Sequence, residues 1–493
     1  MTDKLLLAID QGTTSSRAII FDDKGNALAS RQKELKLHYP HKGWVEQNPI
    51  DIWEDTLWAS RKVIEDIGNK AQDIAGLGIT NQRETTIIWD RSTGEPIYNA
   101  IVWQDRRTAE VCQKLKEAGA ETLTRQRTGL LLDPYFSATK INWILDNVEG
   151  AREKAEAGAL AFGTVDCWLL WKLTNGTVHA TDATNASRTL LFNIITQQWD
   201  ESLLELFNIP PKILPDVKDN VADFGHTTPD IFDQQIEIGG MAGDQHAALI
   251  GQACFQEGMV KSTYGTGCFA LMNIGPTFKP SENRLLTTPA YRLDGQTTYA
   301  IEGSIFIAGA AIQWLRDNLG LFKDAAESEV MANAVDDNNG VYFVPAFTGL
   351  GAPYWDPNAK ASISGLTRES NANHITRAAL EAQAYQTLDL MDAMRNDTSY
   401  DPEVIRADGG LVANSFVCQF ISDMLGKPVE IPQMAETTAL GAAYLAGLKA
   451  GIFDSLEDIS KSWQCAQRYD PKLDDHSREQ LYSGWKNALR RVL

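Results

Sequence analysis

The chain has 493 residues, 43% of them hydrophobic and 22% charged, a composition typical of a globular protein with roughly two or three domains. Its formal net charge of -20 argues against nonspecific binding to nucleic acid or to an anionic membrane surface, although a locally positive pocket could still take an anionic nucleotide. The apolar run after Met1–Lys4 has only five residues, too few for a secretion signal, and no stretch reaches transmembrane length, so we expect a cytoplasmic protein.

The first predicted unit, residues 5–21, consists of an apolar strand, a tight turn and a second apolar strand. Glycine in the turn allows main-chain N–H groups to point inward together, and the hydroxyls of Thr13, Thr14 and Ser15 add donors without bulk. Such a turn can hold an anion. Asp10 ends an apolar strand, where a carboxylate is costly unless it meets a cation or a ring of donors. We therefore predict a phosphate turn with Asp10 positioning Mg²⁺, largely through water.

The first half continues with alternating strand and helix signals. We predict a third strand after residues 22–26, a helix from Asn48–Pro49, a buried strand over 74–80 that leads into the polar cluster 81–84, a strand over 85–89, helices over much of 104–160 and a strand over 185–192.

The second half repeats the same order of signals. Two strands surround the turn Tyr264–Gly267 and are followed by a strand at 299–303, a helix with Ile305, Ala308, Ile312 and Leu315 on one face, a helix over 371–394 capped near Asn373, a strand over 404–408 and a small-residue helix over 438–447. This repetition predicts two similar α/β domains, residues 1–249 and 250–493, with a cleft between them. Two facing turns could then hold a polyphosphate from both sides.

These motifs together resemble a known family. Asp10–Arg17 and Tyr264–Gly267 are similar to the two phosphate turns of the ribonuclease-H-like superfold of actin, heat-shock proteins and sugar kinases, and Asp408–Gly410 with Asn414 is similar to its adenosine motif. Gly163–Asp166 and Gly349–Asp356 resemble the FGGY carbohydrate kinases. Four segments resemble the members that phosphorylate glycerol: Asn81–Thr86, Ile101–Gln104, Asp133–Ser137 and Ala242–Gln245. The resemblance covers almost the whole chain.

The resemblance implies two actin-like ATPase domains that transfer the γ-phosphate of ATP to glycerol, with Mg²⁺, giving sn-glycerol 3-phosphate and ADP. It also implies a homodimer or a homotetramer. The implied nucleotide-binding residues are Thr13, Thr14, Ser15, Arg17, Thr266, Gly309, Gln313, Gly410 and Asn414. The implied glycerol-binding residues are Arg83, Glu84, Trp103, Tyr135, Asp244, Gln245 and Phe269, and the implied metal residue is Asp10.

Phosphoryl transfer to an alcohol needs a phosphate cradle, a metal, an oriented hydroxyl and an acceptor for its proton. Asp244 is the candidate base, and it could also cap a helix that starts near Gln245. Arg17 could reach a phosphate or lie on the surface, and Tyr135 could line the site or belong to the core. Gly309 lies inside a predicted helix, where glycine costs roughly 1 kcal/mol relative to alanine, so we expect a ligand or another backbone close to it.

Two departures from the family pattern concern residues near the second domain. Many bacterial members bind fructose 1,6-bisphosphate through a loop with glycines and an arginine, but residues 226–237 have neither and contain three acids. We therefore expect this inhibitor to bind weakly or not at all. His226 lies in this segment but does not match the phosphorylated histidine of other members. His246 stands where members usually have glutamine, and it could add pH sensitivity or simply lie on a helix face.

Two other functions fit parts of this pattern. A related kinase could act on a pentulose or a longer polyol, although the bulky side chains of Trp103 and Phe269 favour a small substrate. A nucleotide-switched, actin-like or chaperone-like protein would need no small substrate, but it would leave the polar residues assigned to glycerol without a role.

Overall fold

The structure is a computed structural model and describes residues 4–493, so the first three residues of the predicted first domain lie outside it. Two large sheets, each covered by helices, dominate the fold. The strands are β1 (Leu5–Gln11), β2 (Ser15–Phe21), β3 (Ala27–Glu34), β4 (Glu46–Gln47), β5 (Ile74–Asn81), β6 (Ile87–Asp90), β7 (Ala100–Ile101), β8 (Leu160–Gly163), β9 (Ala180–Asp182), β10 (Phe192–Asn193), β11 (Gln198–Trp199), β12 (Asp216–Lys218), β13 (Ile238–Gly243), β14 (Val260–Tyr264), β15 (Cys268–Gly275), β16 (Leu286–Leu293), β17 (Gln296–Ile305), β18 (Tyr342–Val344), β19 (Ser362–Ser364), β20 (Ile405–Asp408), β21 (Val429–Pro432) and β22 (Cys465–Tyr469).

The helices lie between these strands and after the last of them. They are α1 (Pro49–Ile67), α2 (Ala109–Glu117), α3 (Glu121–Thr128), α4 (Ser137–Asn147), α5 (Ala151–Ala157), α6 (Val165–Leu173), α7 (Ala183–Ala186), α8 (Glu201–Leu206), α9 (Pro229–Phe232), α10 (Asp244–Gly251), α11 (Gly309–Asp317), α12 (Glu327–Asn333), α13 (Ala372–Thr398), α14 (Ser415–Leu425), α15 (Thr437–Lys449), α16 (Leu456–Ser462) and α17 (Asp475–Leu489). Within residues 4–493, the structure contains no helix with the length and apolar character needed to span a bilayer.

The first sheet has the strand order β13-β5-β1-β2-β3, with β1 and β2 antiparallel and β5 and β13 parallel to β1. The hairpin predicted at residues 5–21 is present, and Asp10 pairs with Arg17 beside its turn. Side chains of β1 alternate between two cores, as the pleat of a strand requires. Leu7 packs with helix α1 in one core, whereas Ala8 packs with helix α15 in the other. Both faces of β1 are therefore buried, which explains its continuous apolar run.

The second sheet has the strand order β16-β17-β15-β14-β20-β21-β22 and carries the second predicted strand–turn–strand unit, β14 and β15. Strand β20 runs parallel to β14, so that Asp408 pairs with Thr263 at the same end of the sheet. The long helix α13 packs in the core of this half. Its N-terminus is capped by Asn371, two residues before the predicted position, because the Asn371 side chain accepts from the N–H groups of Asn373 and His374.

Helix α15 belongs to the second half by sequence but packs against the first sheet. A Cβ on Gly78 of β5 would lie 2.0 Å from the carbonyl oxygen of Ala442, and a Cβ on Gly240 of β13 would lie 2.5 Å from the nitrogen of Ala446. The small residues of α15 therefore allow backbone-to-backbone contact between the halves. The predicted boundary between residues 249 and 250 falls inside α10, and the division into 1–249 and 250–493 stays a prediction.

Two predicted elements differ in the structure. The strand predicted over 185–192 is wrong for most of its length, because Asp182 accepts from the N–H groups of Thr184 and Asn185 and starts the short helix α7. Only Phe192–Asn193 is a strand in this region. The helix predicted from Ile305 begins at Gly309, because Ile305 continues strand β17 and pairs with Cys268.

Candidate active site

The first turn connects β1 to β2 and has its carbonyl oxygens held by the surrounding protein. Gln47 donates to the carbonyl of Thr13 at 2.6 Å, the Leu35 N–H donates to the carbonyl of Thr14 at 2.8 Å, and the Gly12 N–H donates to Ser15 at 2.8 Å. Among the described residues, no protein group accepts from the main-chain N–H of Thr13 or Thr14. The turn therefore has main-chain donors without a protein acceptor within residues 4–493, and its role as an anion site stays a prediction.

The second turn connects β14 to β15 and is contacted by the two other predicted nucleotide segments. A Cβ on Gly309 would lie 2.7 Å from the carbonyl oxygen of Gly265, and a Cβ on Gly409 would lie 2.5 Å from that of Tyr264. Gly309 is the first residue of α11 rather than an interior one, and the close neighbour expected there is the backbone of the turn itself. The structure thus brings Thr266 together with the start of α11 and with the segment that begins at Gly409.

The remaining residues predicted to bind the nucleotide are Gln313, Gly410 and Asn414. Gln313 lies one helical turn beyond Gly309 on the exposed face of α11. Gly410 is exposed, with open space where a side chain would be. Asn414 caps helix α14 by accepting from the Val417 N–H at 3.1 Å, and its amide group donates to Ser328 at 3.3 Å. The roles of these three residues in binding a nucleotide stay predictions.

Three predicted aromatic residues meet next to the first turn. The indole nitrogen of Trp103 donates to the hydroxyl of Thr13 at 2.9 Å. The Trp103 ring lies 5.5 Å from that of Tyr135 and 6.4 Å from that of Phe269, measured between centroids. Because Phe269 lies on β15 of the second sheet, this aromatic cluster joins the two halves of the molecule. Its role as the apolar wall of a polyol site stays a prediction.

A buried charge cluster lies beside these rings. Arg83 Nε is 3.0 Å from Asp244 Oδ1, and the Arg83 Nη1 and Nη2 atoms contact the two carboxylate oxygens of Glu302 at 2.7 and 3.1 Å. Arg188 contacts Glu84 at 2.6 Å and Glu302 at 3.1 Å. The Asp244 side chain is 31% exposed, whereas that of Arg83 is 2% exposed. Asp244 is therefore the carboxylate of this cluster that a substrate can reach.

Sequence reasoning missed Arg188 and Glu302. Glu302 had a detectable signal, because it is a charged residue directly after the apolar run Tyr299–Ile301 of β17. Burial alone would raise the pKa of Glu302, but the guanidinium groups of Arg188 and Arg83 outweigh burial and hold that pKa below its usual range. Glu302 is thus a fixed negative charge that keeps the Arg83 guanidinium in place. Glu84, at φ 59, holds a backbone conformation unusual for a non-glycine residue, as functional sites often do.

The predicted capping role of Asp244 is wrong, because Asp244 is the first residue of the helix rather than its cap, and its role as the base stays a prediction. Helix α10 begins at Asp244, with Gly243 at the cap position, and the Asp244 carboxylate accepts from the Gln245 N–H at 2.7 Å. His246 on the same helix is fully buried and lies 3.1 Å from the Thr288 hydroxyl. Burial and the nearby Arg83 hold the His246 pKa well below its usual range, so its imidazole stays neutral.

Asp10 lies in an acidic part of the same site. Burial raises the pKa of Asp10 to about 6; nearby Arg17 opposes this shift, while Glu436 and Asp244 add to it. Arg17 forms an ion pair with Glu436 and donates to Gln32 at 3.1 Å, so it is neither free nor far from the turn. Gln11, Asn81 and Gly243 pair side by side on the neighbouring parallel strands β1, β5 and β13, so Asp10 and Asp244 lie at the same end of the first sheet.

Mg²⁺ fits this donor set only through water. Carboxylate oxygens are the hard ligands that Mg²⁺ takes, and a divalent cation would relieve the repulsion among Asp10, Asp244 and Glu436. Within residues 4–493, however, no group of three or more suitable side chains is arranged for direct coordination of a metal. This agrees with a cation held by few carboxylates, by water and by substrate phosphates.

Comparison with known proteins identifies the family. The family model for the N-terminal domain of the FGGY carbohydrate kinases matches residues 5–251, and the model for their C-terminal domain matches residues 260–450. The chain is 64% identical over 489 residues to a glycerol kinase of Nitrosomonas eutropha, covering 99% of this chain and 98% of the relative. It is 57% identical over 487 residues to a glycerol kinase of Alcanivorax borkumensis, with 99% and 98% covered.

Solved structures support the same assignment. The crystal structure of Plasmodium falciparum glycerol kinase with ADP superimposes with a TM-score of 0.94 at 38% identity, covering 100% of this chain and 98% of that one. A ligand-bound xylulose kinase from Lactobacillus acidophilus, at 23% identity, shares the fold with a TM-score of 0.88, covering 99% and 98%. The predicted two-domain α/β architecture with actin-like ATPase domains is confirmed. The chain belongs to the FGGY family of carbohydrate kinases.

Proposed function

We propose that the chain transfers the γ-phosphate of ATP to glycerol, giving sn-glycerol 3-phosphate and ADP, in glycerol catabolism. One observation carries this proposal: a partly exposed carboxylate, Asp244, is held by buried Arg83 at the same end of the first sheet as Asp10 and the first turn. The full-length relatives named glycerol kinase support the choice of glycerol as the acceptor alcohol.

Asp244 is the group that orients the attacking hydroxyl and accepts its proton. Arg83 Nε and the Gln245 N–H both hold its Oδ1 atom, so the carboxylate cannot rotate freely. Among residues 4–493, no protein group donates to Oδ2, and we assign that oxygen to the substrate hydroxyl. Because the transition state of phosphoryl transfer is loose, the proton needs to leave the hydroxyl only late, and a weak base suffices.

The two turns hold the phosphates on either side of the gap. The unpaired N–H groups of Thr13 and Thr14 would bind phosphate oxygens from the first half, and Thr266 would do so from the second. Asp10 would hold Mg²⁺ through water, and the cation would neutralise charge on the phosphates when bound. The region beside Gly309 and Asn414 would take the adenosine.

The aromatic cluster favours a small acceptor over a pentulose. The Trp103 ring packs edge to face against Tyr135 and against Phe269, and these three bulky rings support a small acceptor. A cytoplasmic location and an assembly of two or four identical chains are further proposals that rest on the family resemblance alone.

The decisive test is ATP-dependent formation of glycerol 3-phosphate by the purified chain, followed through coupled ADP release. We expect glycerol to be preferred over D-xylulose, D-ribulose and erythritol in the same assay. A preference for a pentulose would show that glycerol is not the main substrate. ATP hydrolysis that is unaffected by glycerol would instead indicate a nucleotide-switched protein.

A further inference from the structure

Lys261 is a fully buried lysine whose ammonium group lies at the acceptor site. It is carried by strand β14, directly before the second phosphate turn, but its side chain reaches across to helix α10 of the first half. The ammonium donates to the side-chain oxygen of Gln245, to the Thr263 hydroxyl at 3.0 Å and to the Phe269 carbonyl at 3.3 Å. All three donor directions of the ammonium are therefore used.

The surroundings of Lys261 shift its pKa in both directions, and the net shift is downward. Burial lowers the pKa of Lys261, but the carboxylates of Asp408 and Asp244 act in the opposite direction. Because a buried polar group is costly without partners, a lysine here is retained only where its hydrogen bonds are satisfied, as they are. An apolar residue of similar length would fill the same space, so packing alone does not explain the choice of lysine.

The contact with Lys261 determines how the Gln245 amide is oriented. An ammonium group has donors only, so the atom that faces it must be the amide oxygen of Gln245. The amide nitrogen then points elsewhere, and among residues 4–493 no protein group accepts a hydrogen bond from it. Gln245 directly follows Asp244 in the first turn of helix α10 and is almost buried, so this N–H donor belongs to a largely buried side chain.

We propose that Lys261 is a positioning residue for the acceptor alcohol: it holds Gln245 so that the amide presents an N–H donor to a glycerol oxygen. This inference rests on the proposed function. It adds that the glycerol hydroxyl beside Gln245 accepts a hydrogen bond from the Gln245 amide. It also ties acceptor binding to the second half, because Lys261 and the second phosphate turn lie on the same strand.

The first experiment is a double-mutant cycle on wild type, Lys261→Met, Gln245→Ala and the double variant, with Michaelis constants measured for glycerol and for ATP. We expect Lys261→Met to raise the KM for glycerol by about tenfold or more, with the KM for ATP unchanged. We expect the double variant to be no worse for glycerol than Gln245→Ala alone. Lys154→Met, a change at an exposed lysine, is the matched control and should behave as wild type.

The proposal is overturned if Lys261→Met keeps the wild-type KM for glycerol, or if the two single effects on KM simply multiply in the double variant. Failure of wild type to phosphorylate glycerol would refute the proposed function instead, and it would be seen before any variant is made. ADP binding by calorimetry and thermal unfolding report whether each variant is folded.

A second variant covers the case in which Lys261→Met does not fold. Gln245→Glu keeps a hydrogen-bond acceptor for the Lys261 ammonium but has no N–H to offer the substrate. We expect this variant to fold, to bind ADP as wild type does and to show a raised KM for glycerol. A wild-type KM for glycerol in Gln245→Glu would overturn the proposed orientation of the amide.

Discussion

Arg83 shows how a single residue can hold a reacting group in place from the interior. Its guanidinium contacts Asp244 on α10 and Glu302 on β17, so it joins an exposed carboxylate to a buried one across the two halves. The bidentate contact between Arg83 and Glu302 fixes the geometry of the pair. Removing either partner would leave an uncompensated buried charge, so the pair is held together strongly. The direction of the Asp244 carboxylate is therefore set before any substrate binds.

Replacing Asp244 by asparagine tests its assignment as the base. Asparagine keeps the size of the side chain but cannot accept the proton of the hydroxyl, so we expect kcat to fall by about 100- to 10,000-fold. Binding of ADP should change little, because Asp244 belongs to the acceptor side of the gap. Asp317→Asn, a change at an exposed carboxylate, serves as the control. A kcat close to wild type in Asp244→Asn would show that the base lies elsewhere.

At the scale of elements, the contact of α15 with the first sheet determines how closely the two halves approach. Glycines on β5 and β13 meet the backbone of α15 without intervening side chains. Both faces of β1 are buried for the same reason, since α1 covers one face and α15 the other. The position of the first phosphate turn, at the end of β1, therefore depends on a helix from the opposite half of the chain.

Gly78→Ala tests this contact. The new methyl group would lie 2.0 Å from the carbonyl oxygen of Ala442, so α15 would have to move, and we expect a loss of about 1–3 kcal/mol in the free energy of unfolding. Gly76→Ala on the same strand is a matched control, because its methyl group would lie 3.4 Å from the Ala446 oxygen. Equal urea-unfolding midpoints for the two variants would contradict the tight packing at Gly78.

At the scale of the whole molecule, buried acids give stability a pH dependence. Burial, reinforced by repulsion from Asp182, raises the pKa of Asp166 from 3.8 to about 7. Between these two values the unfolded chain has lost this proton while the folded protein keeps it. The contribution of this difference in pKa to the free energy of unfolding is therefore fully present below pH 3.8 and is lost as the pH rises to about 7.

Asp166→Asn should remove this dependence. Asparagine is neutral at every pH and can still accept from Thr181, whose hydroxyl lies 2.6 Å from Asp166. We expect the free energy of unfolding of the variant, relative to wild type, to increase between pH 4 and pH 7, as measured by urea unfolding at several pH values. A constant difference across this range would show that Asp166 titrates as an ordinary aspartate.

Regulation by fructose 1,6-bisphosphate is expected to be absent or weak. The segment 226–237 contains the short helix α9, and the side chain of Arg61 donates to the carbonyls of Ile231 and Asp230 in that segment. The segment itself offers three acids and no arginine to a bisphosphate. We expect no loss of glycerol phosphorylation when this sugar phosphate is added. Clear inhibition at physiological concentration would refute this expectation.

Local sequence was sufficient for the features that depend on neighbouring residues. The hairpin at 5–21, its equivalent at β14 and β15, and helix α15 follow from apolar runs, glycine-containing turns and small residues, all of which are short-range signals. Asp10 and Asp244 were recognisable because a charged residue at the end of an apolar strand is costly unless it has a cation or hydrogen-bond donors as partners. Where a local cap competed with an apolar run, as at Asp182, the prediction of a strand was wrong.

Only the tertiary structure decided which distant residues meet. Arg188, Lys261 and Glu302 are far apart in the chain, and no local pattern tells that two arginines share one buried glutamate or that a lysine of the second half holds Gln245. Such contacts arise because burying a charge is favourable only when an opposite charge or a hydrogen-bond partner arrives with it. The sequence by itself determined the two strand–turn–strand units and the residue types around them, while the three-dimensional packing decided which side chains hold them in position.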